Sequence, residues 1–366
     1  SMKPFAYFLC ALAILLVVLS PRLILSYYEK LPEEPYFEGV LHMWHISGWR
    51  TGGSSAAAFL ENRIRQFESN NPHAFIELSC LTPEKASAAL KEGEKPDLVS
   101  FPFGQAPTLA FEPLPRQSFV LPADTQYAWP YMCGGYCILV NNDLLSENGV
   151  GAPQSWGIRP DALLEAAQYG VVFDAEQGYS ALPALALHAY PKAEGLNIST
   201  WGEPEPPDAA LGLSPAAYAG GFEDFCRGEA AVLIASHRQL FELSERYMQG
   251  EAPAFTAYAV GGYTDMAQMI AVTEQEDELR RSACESFAAY LLTHSSQKKL
   301  EALGVLPTIR NVDIYTENAV MRALYEQLCE SGTFAPPEQR QQLDALAMEM
   351  YGGSALAMHR LRSLLD

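Results

Sequence analysis

The residues best suited to chemistry in this chain are aromatic and cationic side chains at the ends of apolar segments. Trp49 and Arg50 lie in a run of small residues, Ser47 to Ser54, between a strand-like and a helical segment. A flat ring and a guanidinium there can hold a polar or anionic small molecule, helped by the free N–H groups of the helix start. Packing of Trp49 against its own lobe is the other reading. Phe101 and Phe103 follow a third strand-like segment, and Trp129 and Tyr131 flank a proline-rich stretch. Such rings accept the apolar faces of a cyclic ligand while hydroxyls go to polar rims. A packing role for Trp129 and Tyr131 at a chain crossing stays equally open. His237 and Arg238 come directly after Ala235-Ser236, and Tyr263 after Gly261-Gly262.

Bond-making chemistry finds less support. His42 and His45 are three apart on a strand and point to opposite faces, so they do not form a metal pair. Cys133 and Cys137 would meet only across a tight Gly134-Gly135 turn, and core thiols are the better reading. Met266, Met269, Met321, Met348 and Met350 read as core. No phosphate-cradling glycine loop, nucleophile elbow or HExxH zinc motif occurs. The glutamates and histidines show no paired arrangement for general acid–base work. No cofactor or metal is implied.

The elements that must position these residues alternate. A strand over Val40–His45 leads to a helix from about Ser55 to Asn70. A second strand, Phe75–Cys80, precedes a helix capped by Thr82, and a third strand spans Pro96–Phe101. This β-α-β-α-β order predicts a mostly parallel sheet covered by helices, with ligands held beyond the carboxyl ends of its strands. Further on, the sequence predicts a strand over Tyr136–Val140 and helices over Asp161–Tyr169, Ala217–Cys226 and Glu278–Leu292. Another helix, capped by Ser295 or Ser296, stops at Gly304.

With 366 residues the chain exceeds what one core usually serves, so two lobes are the natural prior. The formal charge of -20 argues against nucleic acid as a partner. Lys3 precedes an apolar run from Phe5 to Leu19 that resumes at Leu23, either an uncleaved anchor or a cleaved signal. Both readings place the remainder outside the cytoplasm. The seven cysteines lack the spacing of a disulfide framework and read as buried free thiols.

Five blocks, taken in order, carry a family resemblance. They are Leu41–Asn71, Pro96–Val99, Gly135–Leu145 with Pro153 and Trp156, Phe222–Ile234, and Ala289–Arg310. The chain resembles the extracellular solute-binding proteins of ABC importers, in the sugar-binding, maltose-type group. That resemblance implies an α/β, two-lobed, periplasmic-binding-protein-like (type II) fold with an interdomain ligand cleft, preceded by an N-terminal hydrophobic anchor or signal helix. It divides the chain into residues 1–28 as signal or anchor and 29–38 as stalk. Lobe 1 is then 39–125 plus 263–308, and lobe 2 is 126–262 plus 309–366. Crossings between lobes are expected near Ala123–Pro130, Thr256–Gly262 and Thr308–Asp313.

The function implied is capture of a carbohydrate or similar polar molecule by hinge closure, by a monomer that delivers it to membrane permease subunits. A ligand-sensing ectodomain coupled to a signalling partner, and an exported α/β enzyme, are the alternatives. Phe103 falls where the family often places an aromatic, and Tyr263 in a glycine-rich family segment. His237 and Arg238 stand where family members often carry a ligand-stacking tryptophan, a departure that leaves room for a charged ligand.

Overall fold

The computed structural model describes residues 35–121, 125–151, 166, 168–173, 183, 216–217, 221–259, 263–331, 333–334, 340–351 and 354–365. The apolar run before residue 28, the stalk up to residue 34 and the expected helix start at Asp161 lie outside the described residues. No described helix is long and apolar enough to cross a membrane.

The first lobe grows from the alternation seen in the sequence. Strand β1 (Gly39–Ile46) pairs in parallel with β2 (Ala74–Leu81) and with β3 (Leu98–Pro102). Helix α1 (Ala56–Asn70) links β1 to β2. It starts where the Ser55 side chain accepts from the Ala58 N–H, and it buries Phe59, Leu60, Ile64 and Phe67 on one face. Helix α2 (Pro83–Lys91) starts at Thr82, with Pro83 in the first turn where its missing N–H costs nothing.

The sheet is less parallel than the sequence suggests. Its order is β2-β1-β3-β11-β4, and β11 (Ala267–Val272) runs antiparallel to β3 and to β4 (Trp129–Cys133). A strand recruited from more than 160 residues downstream leaves no local signal in the β-α-β-α-β run.

The second sheet has the order β7-β6-β8-β5-β9. At its centre, all six residues of β5 (Tyr136–Asn141) are buried. Both faces of this strand are covered, as its continuous apolar run implies. It pairs antiparallel with β8 (Val232–Ser236) and β9 (Phe255–Ala259). The flank is β6 (Val171–Phe173) and β7 (Ala216–Ala217). Because Ala216 and Ala217 pair with β6, the helix expected from Ala217 begins only at Gly221; it is α4 (Gly221–Cys226), following α3 (Asn142–Glu147). Helix α5 (His237–Gln249) starts immediately after β8 and ends at Gly250 in the left-handed conformation.

Returning to the first lobe, α6 (Glu278–Leu291) and α7 (His294–Lys298) lead into a 3-10 turn over Lys299–Leu303. The cap of α7 is Thr293, not Ser295 or Ser296: its hydroxyl accepts from the Ser296 N–H. Gly304 ends the segment at φ 64°, as the sequence predicts. Helices α8 (Ala319–Ser331), α9 (Arg340–Tyr351) and α10 (Ala355–Leu365) complete the chain, with a short ladder of β10 (Tyr263–Thr264) and β12 (Thr333–Phe334).

The first crossing differs from the expected Ala123–Pro130. Since β4 hydrogen-bonds to β11, residues 129–133 belong to the first sheet and not to the second. The chain changes sheet at Gly134-Gly135. The Gly134 N–H donates to the Met266 carbonyl, and Cys133 and Leu306 exchange backbone hydrogen bonds. Three passages therefore lie side by side. Gln297 ties two of them: its Nε2 donates to the Tyr131 carbonyl at 2.7 Å and its Oε1 accepts from the Thr308 N–H at 2.9 Å.

Candidate functional site

The site is built where the first sheet's leading loop meets the start of α5. The Gly53 N–H donates to the Leu303 carbonyl and the Ser54 N–H to Ala302, so the 3-10 turn fastens the loop. Trp49 is thereby presented to the second lobe. On that side, Ser236 and Gln239 close a capping box, fixing His237 as the first residue of its helix. The rings of Trp49 and His237 meet edge to face, with centroids 5.3 Å apart and an interplanar angle of 87°.

His237 is held from behind by the crossing. Its N–H donates to the Gly135 carbonyl at 2.7 Å, and its Nδ1 accepts from the Gly135 N–H at 3.4 Å. A neutral imidazole that accepts at Nδ1 carries its proton on Nε2. Neither that Nε2 nor the Nε1 of Trp49 has a hydrogen-bond partner, although both are buried. Two buried N–H donors thus meet in one seam, neither in a well-formed hydrogen bond, with the Arg50 backbone acting only weakly on the His237 ring. Leaving each unsatisfied costs roughly 1–3 kcal/mol. Burial drives the His237 pKa down to about 3, and the Arg238 charge adds to the effect; the Gly135 and Arg50 backbone groups pull less strongly the other way. The ring is a neutral donor at any ordinary pH. Such a seam suits an oxygen acceptor, as a hydroxyl, ring oxygen or carboxylate provides.

One helical turn beyond His237, Phe241 faces the same loop. A Cβ built on Gly52 would lie 3.0 Å from the Phe241 Cβ, and one on Gly304 would lie 2.6 Å from its Cγ. Gly134 is equally constrained, since a Cβ there would stand 2.6 Å from the His237 ring. Sequence reasoning missed Phe241, yet its place four residues after His237 on one helix was the available signal.

The other candidates divide by location. Arg50 is exposed beside Trp49. Arg238 pairs with Glu242 of its own helix at 3.3 Å. Phe103 follows β3, half-buried, with its N–H on the Ala267 carbonyl. Tyr263 opens β10 opposite Thr333; its side chain lies outside the described residues.

Phe101, Trp129 and Tyr131 are committed to the interior of the first lobe. Phe101 stacks on Phe111 at 5.9 Å, and the Trp129 Nε1 donates to the Pro115 carbonyl at 3.2 Å. Tyr131 has no exposed surface, and its ring stacks on Phe59 while its hydroxyl bonds Ser100. Residues 129 and 131 sit on β4 and not at the crossing, so their rings fill the core where a ligand face was expected.

Ser100 also meets the His45 Nδ1 at 3.0 Å and the Gln268 Nε2 at 3.0 Å. This serine–histidine pair resembles a nucleophile and base only in composition. Ser100 has no accessible surface, and burial holds the His45 pKa down at about 4.

All six described cysteines are free thiols, with Cys133, Cys137 and Cys284 buried and Cys80 exposed against expectation. Burial pushes the Cys133, Cys137 and Cys284 thiols up, away from the reactive thiolate. Among the described residues no cluster of three or more His, Cys, Asp or Glu could hold a metal ion.

Among solved structures, the chain is similar over 90% of its length to the cyclic alpha-maltosyl-1,6-maltose binding protein from Arthrobacter globiformis, with 99% of that chain covered, 14% identity and a TM-score of 0.63. The sugar-binding protein MalE from Xanthomonas citri matches over 90% of this chain and 96% of its own, at 15% identity and a TM-score of 0.60. The galacto-N-biose-/lacto-N-biose I-binding protein of the ABC transporter from Bifidobacterium longum matches over 91% and 96%, at 14% identity and a TM-score of 0.58. The chain therefore has the two-domain α/β fold of these binding proteins. No family model matches the chain, and neither does any curated protein.

Proposed function

We propose that the chain is an extracytoplasmic solute-binding subunit that captures a carbohydrate or similar oxygen-rich small molecule by hinge closure and passes it to a membrane permease. It acts as a monomer, makes and breaks no bond, and is tethered or exported through its N-terminal apolar segment. The observation that carries this reading is the Trp49–His237 seam. Two lobes joined by adjacent crossings bring together two buried N–H donors that lack a well-formed hydrogen bond. A ligand that touches both lobes binds the closed state better and shifts the population towards it. Arg50 lies exposed beside Trp49, where an acidic sugar could meet it.

The reading is tested by thermal melting of the full chain with maltose, maltotriose, raffinose, lacto-N-biose and galacturonate. A saccharide at 100 times its dissociation constant adds about 2.7 kcal/mol of stability, which raises the melting point by several degrees. If none of the five moves the transition, carbohydrate capture is rejected. For the saccharide giving the largest shift, Trp49→Ala is expected to weaken binding at least about tenfold by calorimetry, since it removes both a ring face and a donor. An unchanged affinity would take Trp49 out of the site.

A further inference from the structure

The face of α5 that carries His237 makes a second contact with the first lobe, and the sequence provides for it on both sides. From the second lobe comes a bulky ring, Phe241. From the first come glycines at three places around it: Gly52 and Gly53 in the leading loop and Gly304 after the 3-10 turn. Gly53 would bring a Cβ to 3.3 Å from the ring, in addition to the close approaches at Gly52 and Gly304. Gly304 also lies at φ 64°, a left-handed backbone that a side chain would strain. The two glycine segments are bonded to each other through the Gly53 N–H and the Leu303 carbonyl, so the socket is a fixed part of the first lobe.

This is a knob from one lobe seated in a hole of the other. Nothing in the contact needs a ligand: ring and glycines meet directly. Resting on the reading of the chain as a hinged clamp, we infer that Phe241 and its glycine socket form a latch that registers the two lobes and holds them shut before any ligand arrives. The latch offsets the cost of the two unsatisfied donors beside it. A saccharide then enters through transient opening, and its oxygens relieve the Trp49 and His237 N–H groups on reclosure. Free-state closure makes the latch a positioning device: it sets how far the Trp49 and His237 rings approach, and so which ligands fit between them.

The test needs no saccharide. The Trp49 indole N–H is buried, so its exchange with solvent deuterium requires the seam to open, and its rate is proportional to the open fraction. The Trp129 indole, bonded to Pro115 within the first lobe, is the control in the same spectrum. The full chain, labelled with 15N-tryptophan and assigned with Trp49→Phe, is compared with Phe241→Ala and Gly52→Val. The first removes the knob, and the second fills the hole at a glycine whose backbone is not left-handed. Each variant is expected to speed Trp49 exchange about tenfold, the effect of disrupting a half-buried aromatic contact on a two-state opening, and to leave Trp129 unchanged. Unchanged Trp49 exchange in both variants overturns the latch, as does equal acceleration of Trp129, which would mean general loosening. A chain that binds no saccharide but shows this exchange pattern keeps the latch and loses the carbohydrate reading. The converse result does the opposite.

Discussion

At pH 5 the folded chain is expected to be about 4 kcal/mol less stable than at pH 7.5, with the loss divided nearly equally between His45 and His237. Both rings are buried, and burial holds their pKa values at about 4 and about 3. The unfolded chain takes up a proton on each near pH 6.5. Between that value and the folded pKa the unfolded state binds more protons, so stability rises with pH across this window. At pH 5 each histidine then accounts for about 2 kcal/mol, fully recovered above pH 7.

Urea unfolding at the two pH values measures the difference. His237→Asn should remove about half of it, and a second substitution, His45→Gln, most of the remainder. If neither substitution reduces the difference, the two rings are not buried as the structure has them. Because His237 lies in the seam, acid should also favour the open clamp: a ring released from Trp49 can be protonated and hydrated.

Replacing Asp97 by alanine is expected to cost about 3 kcal/mol at neutral pH. Its carboxylate accepts from the Arg280 Nε at 2.7 Å and Nη2 at 2.8 Å, the His42 N–H at 2.8 Å and the Gln275 Nε2 at 3.1 Å. Burial alone would raise the Asp97 pKa, but these donors together outweigh it and hold the carboxyl below its usual range. Its contribution is therefore present above the ordinary carboxylate pKa and is lost only as pH falls below that, below the pH 5 to 7.5 range compared for the histidines.

Alanine would leave the Arg280 guanidinium and the His42 N–H without this acceptor where β1, β3 and α6 come together. The Arg280 side chain retains 30% exposure, so the cost falls at the low end for a broken buried pair. Denaturant unfolding of Asp97→Ala measures it, and a loss below about 1 kcal/mol would show that the cluster adds little. Saccharide affinity should survive in the folded fraction, because the cluster lies at the opposite end of β1 from Trp49.

Much of the fold was legible because it is local. The Ser55 and Thr82 caps, the Gly304 stop and the apolar run Tyr136–Val140 of β5 follow from residues within a few positions of one another. Of the candidate site, Trp49 and His237 were legible for the same reason: each stands where a strand gives way to a helix. That they touch was not, since 188 positions of sequence separate them and no periodicity links the two.

Trp129 and Tyr131 show how the same local reading goes astray. An aromatic beside prolines looks like an exposed platform, but pairing of β4 with the distant β11 turns both rings inward. The chain by itself determined its helices, its turns and the residues free to carry chemistry, because backbone sterics and side-chain polarity act over a few residues. Only the tertiary structure decided which sheet each strand joins, where the chain crosses between lobes, and that Phe241 meets three glycines. Those outcomes depend on long-range pairing and packing, which no short stretch of sequence encodes.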